Sequence, residues 1–255
     1  MIVLKSQREI DRMKKAGEVV MLAHRRIEEL ISPGITTKDL DRAAEEVIKN
    51  RGAIPSFKGF PCAYGGIDFP GVICASVNNE VIHGIPANRV LMEGDIISID
   101  IGAILDGFHG DAARTYSVGA ISSEAENLIK VTAESFNRGM SQAVEGKRIR
   151  DISEAVQSYV ESNGLSVVRD FVGHGIGTEM HEEPQIPNYA AREKGVRLIN
   201  GMTLAIEPMV NVGTWKVNVL ENRWTVVTAD GKLSAHHENT IAVMAKGPEI
   251  LTALY

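Results

Sequence analysis

The sequence has little cysteine and no long apolar run. Its 255 residues include two cysteines, Cys62 and Cys74, so the disulfide framework common in secreted chains is absent and a reducing compartment is favoured. The first residues, MIVLKSQREIDRMKKAG, lack an apolar signal core, and no stretch approaches about 18 apolar residues. The net charge of −6 argues against nucleic acid as the main partner. We therefore expect a cytoplasmic protein without a membrane or specific nucleic-acid partner.

Several catalytic motifs are also missing. The chain has no GxxxxGK[ST] and no GxSxG, which excludes a P-loop and a nucleophile elbow. It has no HExxH, so the zinc-protease arrangement on one helix is excluded too. What remains is a chain with 44% hydrophobic and 24% charged residues, as is usual for a globular protein.

The N-terminal part predicts two helices. Ser6 and Glu9 form a capping-box pattern, and apolar residues recur behind them at helical spacing. A helix is predicted over about 7–31, ended by Pro33-Gly34, and a second over about 37–51.

Two further elements are predicted later in the chain. The segment EGDIISIDIGAILDGFHGDAARTYSVG is typical of a β-hairpin that turns at Asp106-Gly107. Another helix is predicted behind a second capping box formed by Ser123 and Glu126.

The order of these elements repeats in the second half. PGITTKDLDRAAEEVIKNRG (33–52) aligns with EGKRIRDISEAVQSYVESNG (145–164), and EGDIISID (93–100) aligns with NGMTLAIE (200–207). Two matches in the same order favour a duplicated α/β unit over two generic helix-then-strand segments, which stay the alternative. Duplication predicts halves of about 1–120 and 121–255, with Asp100 and Glu207 at equivalent positions facing each other.

Acids stand in apolar surroundings at these positions. Asp100 lies within IISIDIGA and Glu207 within LAIEPM, and an unpaired buried carboxylate is costly. If the hairpin turns at Asp106-Gly107, Asp111 lies opposite residue 102 on the face of Asp100, within reach of shared metal ions. Glu238 is a fourth acid, at the start of an apolar strand. An exposed edge strand or a local salt bridge stays the alternative for each acid taken alone.

The seven histidines divide by context. His24 falls on the buried stripe of the first helix and is expected to be structural, and His109 is expected to face away from Asp111. His83, His174 and His181 lie in Gly- and Pro-rich loops, where functional groups are often presented. Carboxylates with one imidazole suit divalent ions such as Mn²⁺, Fe²⁺, Co²⁺ or Zn²⁺.

Five motifs carry a family resemblance: NEVIHGIP, DIISIDIGAILDGFHGD, GHGIGTEMHEEP, GMTLAIEPM and HHENT. With them the chain resembles the type I methionine aminopeptidases of the M24 metallopeptidase family. The resemblance implies a single catalytic domain, 1–255, with the duplicated α/β pita-bread fold: pseudo-twofold symmetry and an antiparallel sheet covered by helices. It also implies two divalent metal ions bound by Asp100, Asp111, His174, Glu207 and Glu238.

The implied reaction is the removal of the initiator methionine, with a small second residue preferred. Water activated by the two metals would attack the first peptide bond, and Glu207 would handle the proton. His181 would stabilise the developing oxyanion and His83 would hold the substrate near its N-terminus. The residues implied for the methionine pocket are Phe69, Cys74, Met180 and Trp224.

Other implied properties concern a second ion and the partners. A Na⁺ or K⁺ ion would be bound by Asn78, Glu80 and Ser234. The substrates would be peptides and nascent proteins with N-terminal methionine, processed by a monomer in transient contact with the ribosome. The loop 58–69 looks longer than the common bacterial one, so no pocket role is assigned to Phe60, Cys62 or Tyr64. HENT departs from the common motif at Asn239, whose role is left open.

Two other functions compete with this interpretation. An X-Pro aminopeptidase or prolidase shares the fold and the ligands, and a binding protein of the same fold would lack the chemistry. Relatives without activity typically lose ligands, whereas all five are present here.

Overall fold

A computed structural model describes residues 2–62 and 65–254. In these ranges the chain forms four α-helices: α1 (Gln7–Leu30), α2 (Thr37–Asn50), α3 (Ser123–Met140) and α4 (Ile149–Ser162). None of the described helices is long and apolar enough to cross a membrane.

The strands are mostly short. In chain order they are β1 (Ile54–Pro55), β2 (Ile73–Val77), β3 (Glu80–Ile82), β4 (Ile96–Leu105), β5 (Phe108–Ser117), β6 (Ser166–Val167), β7 (Gly173–Gly175), β8 (Glu182–Ile186), β9 (Thr203–Ile206), β10 (Met209–Asn211), β11 (Val217–Val219), β12 (Val226–Thr228), β13 (Ser234–His236), β14 (Asn239–Met244) and β15 (Gly247–Ile250). All their pairings are antiparallel.

The helix ends follow local side-chain chemistry. The capping box of Ser6 and Glu9 is confirmed, because Ser6 N donates to Glu9 Oε2 at 2.7 Å. The box predicted at Ser123 is wrong by one residue: Ser122 caps α3, and its Oγ accepts from Ala125 N at 3.2 Å. The residue three positions after this cap is an alanine, which has no side-chain acceptor to complete a box.

The predicted hairpin is confirmed. β4 pairs with β5 over ten residue pairs, and the turn residues Asp106 and Gly107 have φ of 52° and 79°, as a two-residue type I′ turn requires. Gly102 lies opposite Asp111, so Asp100 and Asp111 lie on one face of the hairpin.

The repeat is visible in matching backbone contacts. Gly34 N donates to Leu91 O at 2.8 Å, and at the aligned positions Gly146 N donates to Leu198 O at 2.9 Å. Both glycines have positive φ, 99° and 90°. The same bond in the same place of each half is what a duplicated unit predicts.

Each pair of helices covers a sheet. Residues of α1 and α2 form one buried apolar cluster with β2 and β4, and residues of α3 and α4 contribute to two clusters with strands of the second half. α1 lies close both to β5 and to the residue after β15: a Cβ on Gly110 would lie 2.7 Å from Gly17 N, and a Cβ on Gly17 would overlap with Leu251 O. Glycine is therefore required at this crossing.

The four-stranded sheet of β1, β4, β2 and β5 meets the five-stranded sheet β15-β14-β9-β7-β8 beside β5. Asp111 N donates to Thr240 Oγ1 at 3.0 Å, and Glu238 N donates to Ala113 O at 2.9 Å. These bonds join the sheets and place two of the predicted acids together.

Candidate metal centre and adjoining pocket

All five predicted metal ligands line one cavity of about 140 Å³. Asp100 lies in β4, Asp111 in β5 and His174 in β7, while Glu207 directly follows β9 and Glu238 directly precedes β14. The full lining is Phe57, Phe60, Phe69, Cys74, His83, Asp100, Asp111, His174, Met180, His181, Glu207, Trp224 and Glu238. The two sheets thus bring together residues that are far apart in sequence.

Three acids of this cavity each have one buried carboxylate oxygen without a partner. Among the described residues, Asp100 Oδ1, Asp111 Oδ1 and Glu238 Oε1 have no hydrogen-bond partner, and Asp111 is only 2% exposed. Ligand atoms of Asp111, His174 and Glu238 lie within 4.8 Å of one another. Buried carboxylates are stable when paired or bound to a metal, so oxygen atoms left free in this way fit a divalent cation.

The proton affinities of the acids reflect the same crowding. Burial raises the pKa of Asp100 to about 7. Burial, followed by the charges of Glu238 and Asp100, raises the pKa of Asp111. Burial and then the neighbouring carboxylates likewise raise the pKa of Glu207 and of Glu238. A bound cation reverses this repulsion because it favours the ionised form of each acid.

His174 is oriented toward the acids. Its Nδ1 lies 2.9 Å from Gly175 O, which leaves Nε2 at 3.5 Å from Glu207 Oε1 and 4.0 Å from Asp111 Oδ2. Burial lowers the pKa of His174 to about 3, so the imidazole is neutral, as a metal ligand must be. A carbonyl on the other ring nitrogen is the usual support for such a ligand.

His181 and His83 border the same cavity. The His181 ring meets the His174 ring edge to face at a centroid distance of 4.4 Å, and it contacts Phe60 at 5.4 Å. The His83 ring contacts Phe171 at 5.9 Å and Trp224 at 6.3 Å. Burial and then His181 lower the pKa of His83 to about 4, and burial lowers that of His181.

An apolar pocket adjoins the acids. The Phe69 ring packs edge to face on Trp224 at 5.1 Å, and Cys74 and Met180 are buried beside them. A second cavity, of about 370 Å³, shares His83, His174, His181 and Glu207 with the first. The centre therefore has a small compartment with an apolar lining and a wider adjoining cavity, and the two share three histidines and Glu207.

Comparisons with known proteins bear directly on this site. The model of metallopeptidase family M24 matches residues 11–245. The chain belongs to metallopeptidase family M24. A methionine aminopeptidase of Clostridium acetobutylicum is 58% identical to this M24 chain over 253 residues, covering 99% of both. Such relatives confirm the resemblance to methionine aminopeptidases.

Solved structures agree on the fold. A methionine aminopeptidase of Thermotoga maritima, 47% identical, superimposes with a TM-score of 0.93 over 99% of both chains. The prolidase of Pyrococcus horikoshii, 22% identical, superimposes with a TM-score of 0.80 over all of this chain and 65% of its own, which is a likeness of fold alone. The duplicated pita-bread fold of this M24 peptidase is confirmed.

Two aromatic residues in the lining had no assigned role. Phe57 and Phe60 both line the cavity, and the two aromatic residues of SFKGF are a signal that could have indicated them. Cys62 is not among the lining residues; its Sγ lies 3.7 Å from Gly65 O. Tyr64 lies outside the described residues.

The prediction for His109 is wrong. Side chains alternate along a strand, so His109 shares the face of Asp111, two residues away. It does not line the cavity, because its Nδ1 bonds Ser56 Oγ at 3.0 Å in the segment after β1.

Asn239 has a clear structural place in this M24 peptidase. Its Oδ1 accepts from Arg114 Nη2 at 2.6 Å and from Thr252 Oγ1 at 2.9 Å. Arg114 also donates to the carbonyl oxygen of Glu238. Asn239 therefore holds a half-buried guanidinium beside Glu238, one of the candidate metal ligands.

The residues predicted for a monovalent cation lie elsewhere. Ser234 N donates to Asn78 O at 2.9 Å, and the Glu80 carboxylate accepts from Val77 N at 2.7 Å and from Arg89 Nη1 at 2.8 Å. None of the three lines the metal cavity. Binding of Na⁺ or K⁺ there stays a prediction.

His236 was not singled out by the sequence. It is 2% exposed, burial lowers its pKa to about 3, and its ring points at the acids. Its position next to HENT, which contains Glu238, was the available sequence signal. That position does not show in which direction the His236 ring points.

Proposed function

We propose that this chain hydrolyses the first peptide bond of proteins and peptides that begin with methionine, preferring a small second residue. The observation that carries the proposal is the apolar pocket of Phe69, Cys74, Met180 and Trp224 beside four carboxylates and one imidazole that line the same cavity. The chain belongs to a family of metal-dependent hydrolases, and its high-identity relatives are methionine aminopeptidases.

The metal centre has the donor set for two divalent ions. Asp100, Asp111, His174, Glu207 and Glu238 would hold them, and oxygen donors with one imidazole accept Mn²⁺, Fe²⁺, Co²⁺ or Zn²⁺. Divalent ions held by these residues would supply a nucleophilic water at neutral pH and polarisation of the scissile carbonyl.

The side chains around the centre supply positioning and proton transfer. Glu207, which borders both cavities, takes a proton from the attacking water and returns it to the leaving amine. His181, as a neutral imidazole, donates its one N–H to the negative charge that develops on the carbonyl oxygen. His83, opposite Trp224, holds the substrate near its N-terminus.

The two cavities divide the substrate between them. An unbranched thioether suits the small compartment, because methionine adapts to aromatic and sulfur-lined surfaces. The rest of the bound peptide extends through the wider cavity, whose lining includes Gly173 and Gln185. A large second residue would have to pass the crowded ring pair of His174 and His181.

The test is peptide hydrolysis by metal-stripped protein titrated with Mn²⁺, Fe²⁺, Co²⁺ and Zn²⁺. Met-Ala-Ser is expected to be cleaved only after metal is added, and N-acetyl-Met-Ala-Ser, which lacks a free amine, serves as the matched control. Asp100→Asn is expected to abolish the activity. Preferential cleavage of an X-Pro peptide would instead favour the prolidase reaction, and activity retained by Asp100→Asn would refute the metal centre.

Further proposals concern the state of the protein. We take residues 1–255 as one catalytic domain of two similar halves that meet near residue 120, acting as a monomer in the cytoplasm with transient ribosome contact. We also retain a Na⁺ or K⁺ ion at Asn78, Glu80 and Ser234. Analytical ultracentrifugation, ribosome co-sedimentation and activity at varied Na⁺ and K⁺ test these points separately.

A further inference from the structure

One imidazole of the centre has no task in the proposed reaction. His236 ends strand β13, and its Nε2 is a buried atom that has no hydrogen-bond partner in the described part of the chain. This nitrogen lies 3.8 Å from Glu207 Oε2 and 4.0 Å from Glu238 Oε2. It therefore sits between the two glutamates, just beyond bonding distance of each.

The backbone of His236 is held firmly in this place. Its N–H donates to Thr115 Oγ1 at 2.9 Å, and the same hydroxyl lies 2.9 Å from His236 O. β13 also pairs with β10, which places Met209 opposite His236. Because Met209 follows Glu207 by two residues, this pairing places His236 beside the segment that carries Glu207.

A purely structural histidine looks different in this protein. The buried ring of His24 has both nitrogens bonded, Nδ1 to Tyr116 Oη at 3.0 Å and Nε2 to Ala112 O at 2.8 Å. Buried polar atoms are almost always paired in this way. The unpaired Nε2 of His236 is thus an exception that needs a partner, and ionised carboxylates accept hydrogen bonds but cannot donate them.

We propose that His236 is a positioning residue of the metal centre: its Nε2–H donates to the carboxylates of Glu207 and Glu238 and fixes their orientation toward bound metal. This inference rests on the metal centre of the proposed function. Ligating carboxylates are commonly held by hydrogen bonds from a surrounding shell, and losing such a partner typically costs about 10–100-fold in metal affinity or activity.

The experiment compares two substitutions at this position. His236→Leu removes the donor, whereas His236→Gln keeps an N–H on a side chain of similar reach. Mn²⁺ binding to metal-stripped protein is measured by calorimetry, and Co²⁺-loaded protein is measured by visible absorption. We expect His236→Leu to bind Mn²⁺ about 10–100-fold more weakly, with kcat reduced and KM for Met-Ala-Ser unchanged, and His236→Gln to recover most of the loss.

The control is His24→Gln, which replaces a buried, hydrogen-bonded histidine outside the cavity. It is expected to lower the melting temperature without weakening Mn²⁺ binding, which separates positioning from general destabilisation.

Three results overturn the inference: Mn²⁺ affinity of His236→Leu equal to wild type, no recovery by His236→Gln, or a Co²⁺ spectrum of His236→Gln that shows loss of a nitrogen ligand. Absence of metal binding by the wild-type protein would instead refute the proposed function itself.

Discussion

Asp111→Asn should stabilise the metal-free protein while abolishing its function. Ligand atoms of Asp111 and Glu238 lie within 4.8 Å, and two unit charges at that distance repel by about 3 kcal/mol at an effective dielectric constant of about 20. Protonation relieves part of this repulsion in the wild type, so Asp111→Asn is expected to raise the free energy of unfolding by about 1–3 kcal/mol. Asparagine keeps the shape and the backbone bonds to Thr240.

The assay is thermal unfolding at pH 8 in EDTA and again with excess Mn²⁺. For a chain of this length about 1 kcal/mol shifts the melting temperature by roughly 2–4 °C, so the variant should unfold roughly 3–10 °C above wild type in EDTA. With Mn²⁺ at a hundred times its Kd, the wild type should gain about 2.7 kcal/mol, and the variant should gain far less. Its peptidase activity should fall at least about a hundredfold.

The pH dependence has a definite sign. An acid whose folded-state pKa is raised lowers the stability of the folded protein as the pH rises from its unfolded pKa to its folded pKa, because the unfolded chain releases the proton first. The pKa of Asp100 moves from 3.8 to about 7 and that of Asp111 rises in the same direction. Wild-type stability in EDTA should therefore fall as the pH rises from about 4 to 7, and the advantage of Asp111→Asn should vanish toward pH 4.

The control is Glu46→Gln, at an exposed position of α2, which removes one charge outside the cavity. It should leave the melting temperature unchanged both in EDTA and with Mn²⁺. The reasoning is refuted if Asp111→Asn unfolds below wild type in EDTA at pH 8, or if Mn²⁺ stabilises both proteins equally.

Three further predictions concern contacts around the centre. Lys5→Met leaves the Glu182 carboxylate, 11% exposed in its pair with Lys5, without its cation; thermal unfolding should show a loss of about 3–5 kcal/mol. Adding Glu182→Gln should restore much of that stability, and no restoration would contradict the pairing. Asn239→Ala removes the side-chain acceptor of Arg114 Nη2 and should cost about 1–3 kcal/mol in urea unfolding; an unchanged midpoint would show that this bond does not stabilise the fold. Trp224→Ala opens the apolar pocket and should raise KM for Met-Ala-Ser about tenfold, on the order of 1.4 kcal/mol, and an unchanged KM would place methionine elsewhere.

Local patterns were sufficient for the helices and the hairpin. Helical spacing and a capping serine predicted α1, and Asp106-Gly107 predicted the turn on which the register of Asp111 depends. These signals are reliable because they act between residues a few positions apart. The cap of α3 was misplaced by one residue because Ser122 and Ser123 are adjacent, and only the observed bond to Ala125 distinguishes them.

The candidate ligands were predictable for a different reason. An acid inside an apolar run is unusual by itself, and its recurrence in an aligned segment singled out Asp100 and Glu207 before any fold was known. The family resemblance then supplied the roles of His174 and His181. The sequence alone offered no way to tell that the rings of these two histidines touch.

Other features depended on contacts between distant parts of the chain. The ring of His236 faces the acids because β13 lies beside β10, and the partner of Asn239 is Arg114, 125 positions away.

The sequence thus determined which residues are candidate metal ligands and which segments form helices and turns, since periodicity and side-chain chemistry are local properties. The tertiary structure decided which of these residues share a cavity, which ring nitrogens are left unpaired, and how deeply each charge is buried. Those quantities depend on the contact between the two sheets at β5 and Glu238. That contact joins residues far apart in the chain, so local sequence patterns do not reveal it.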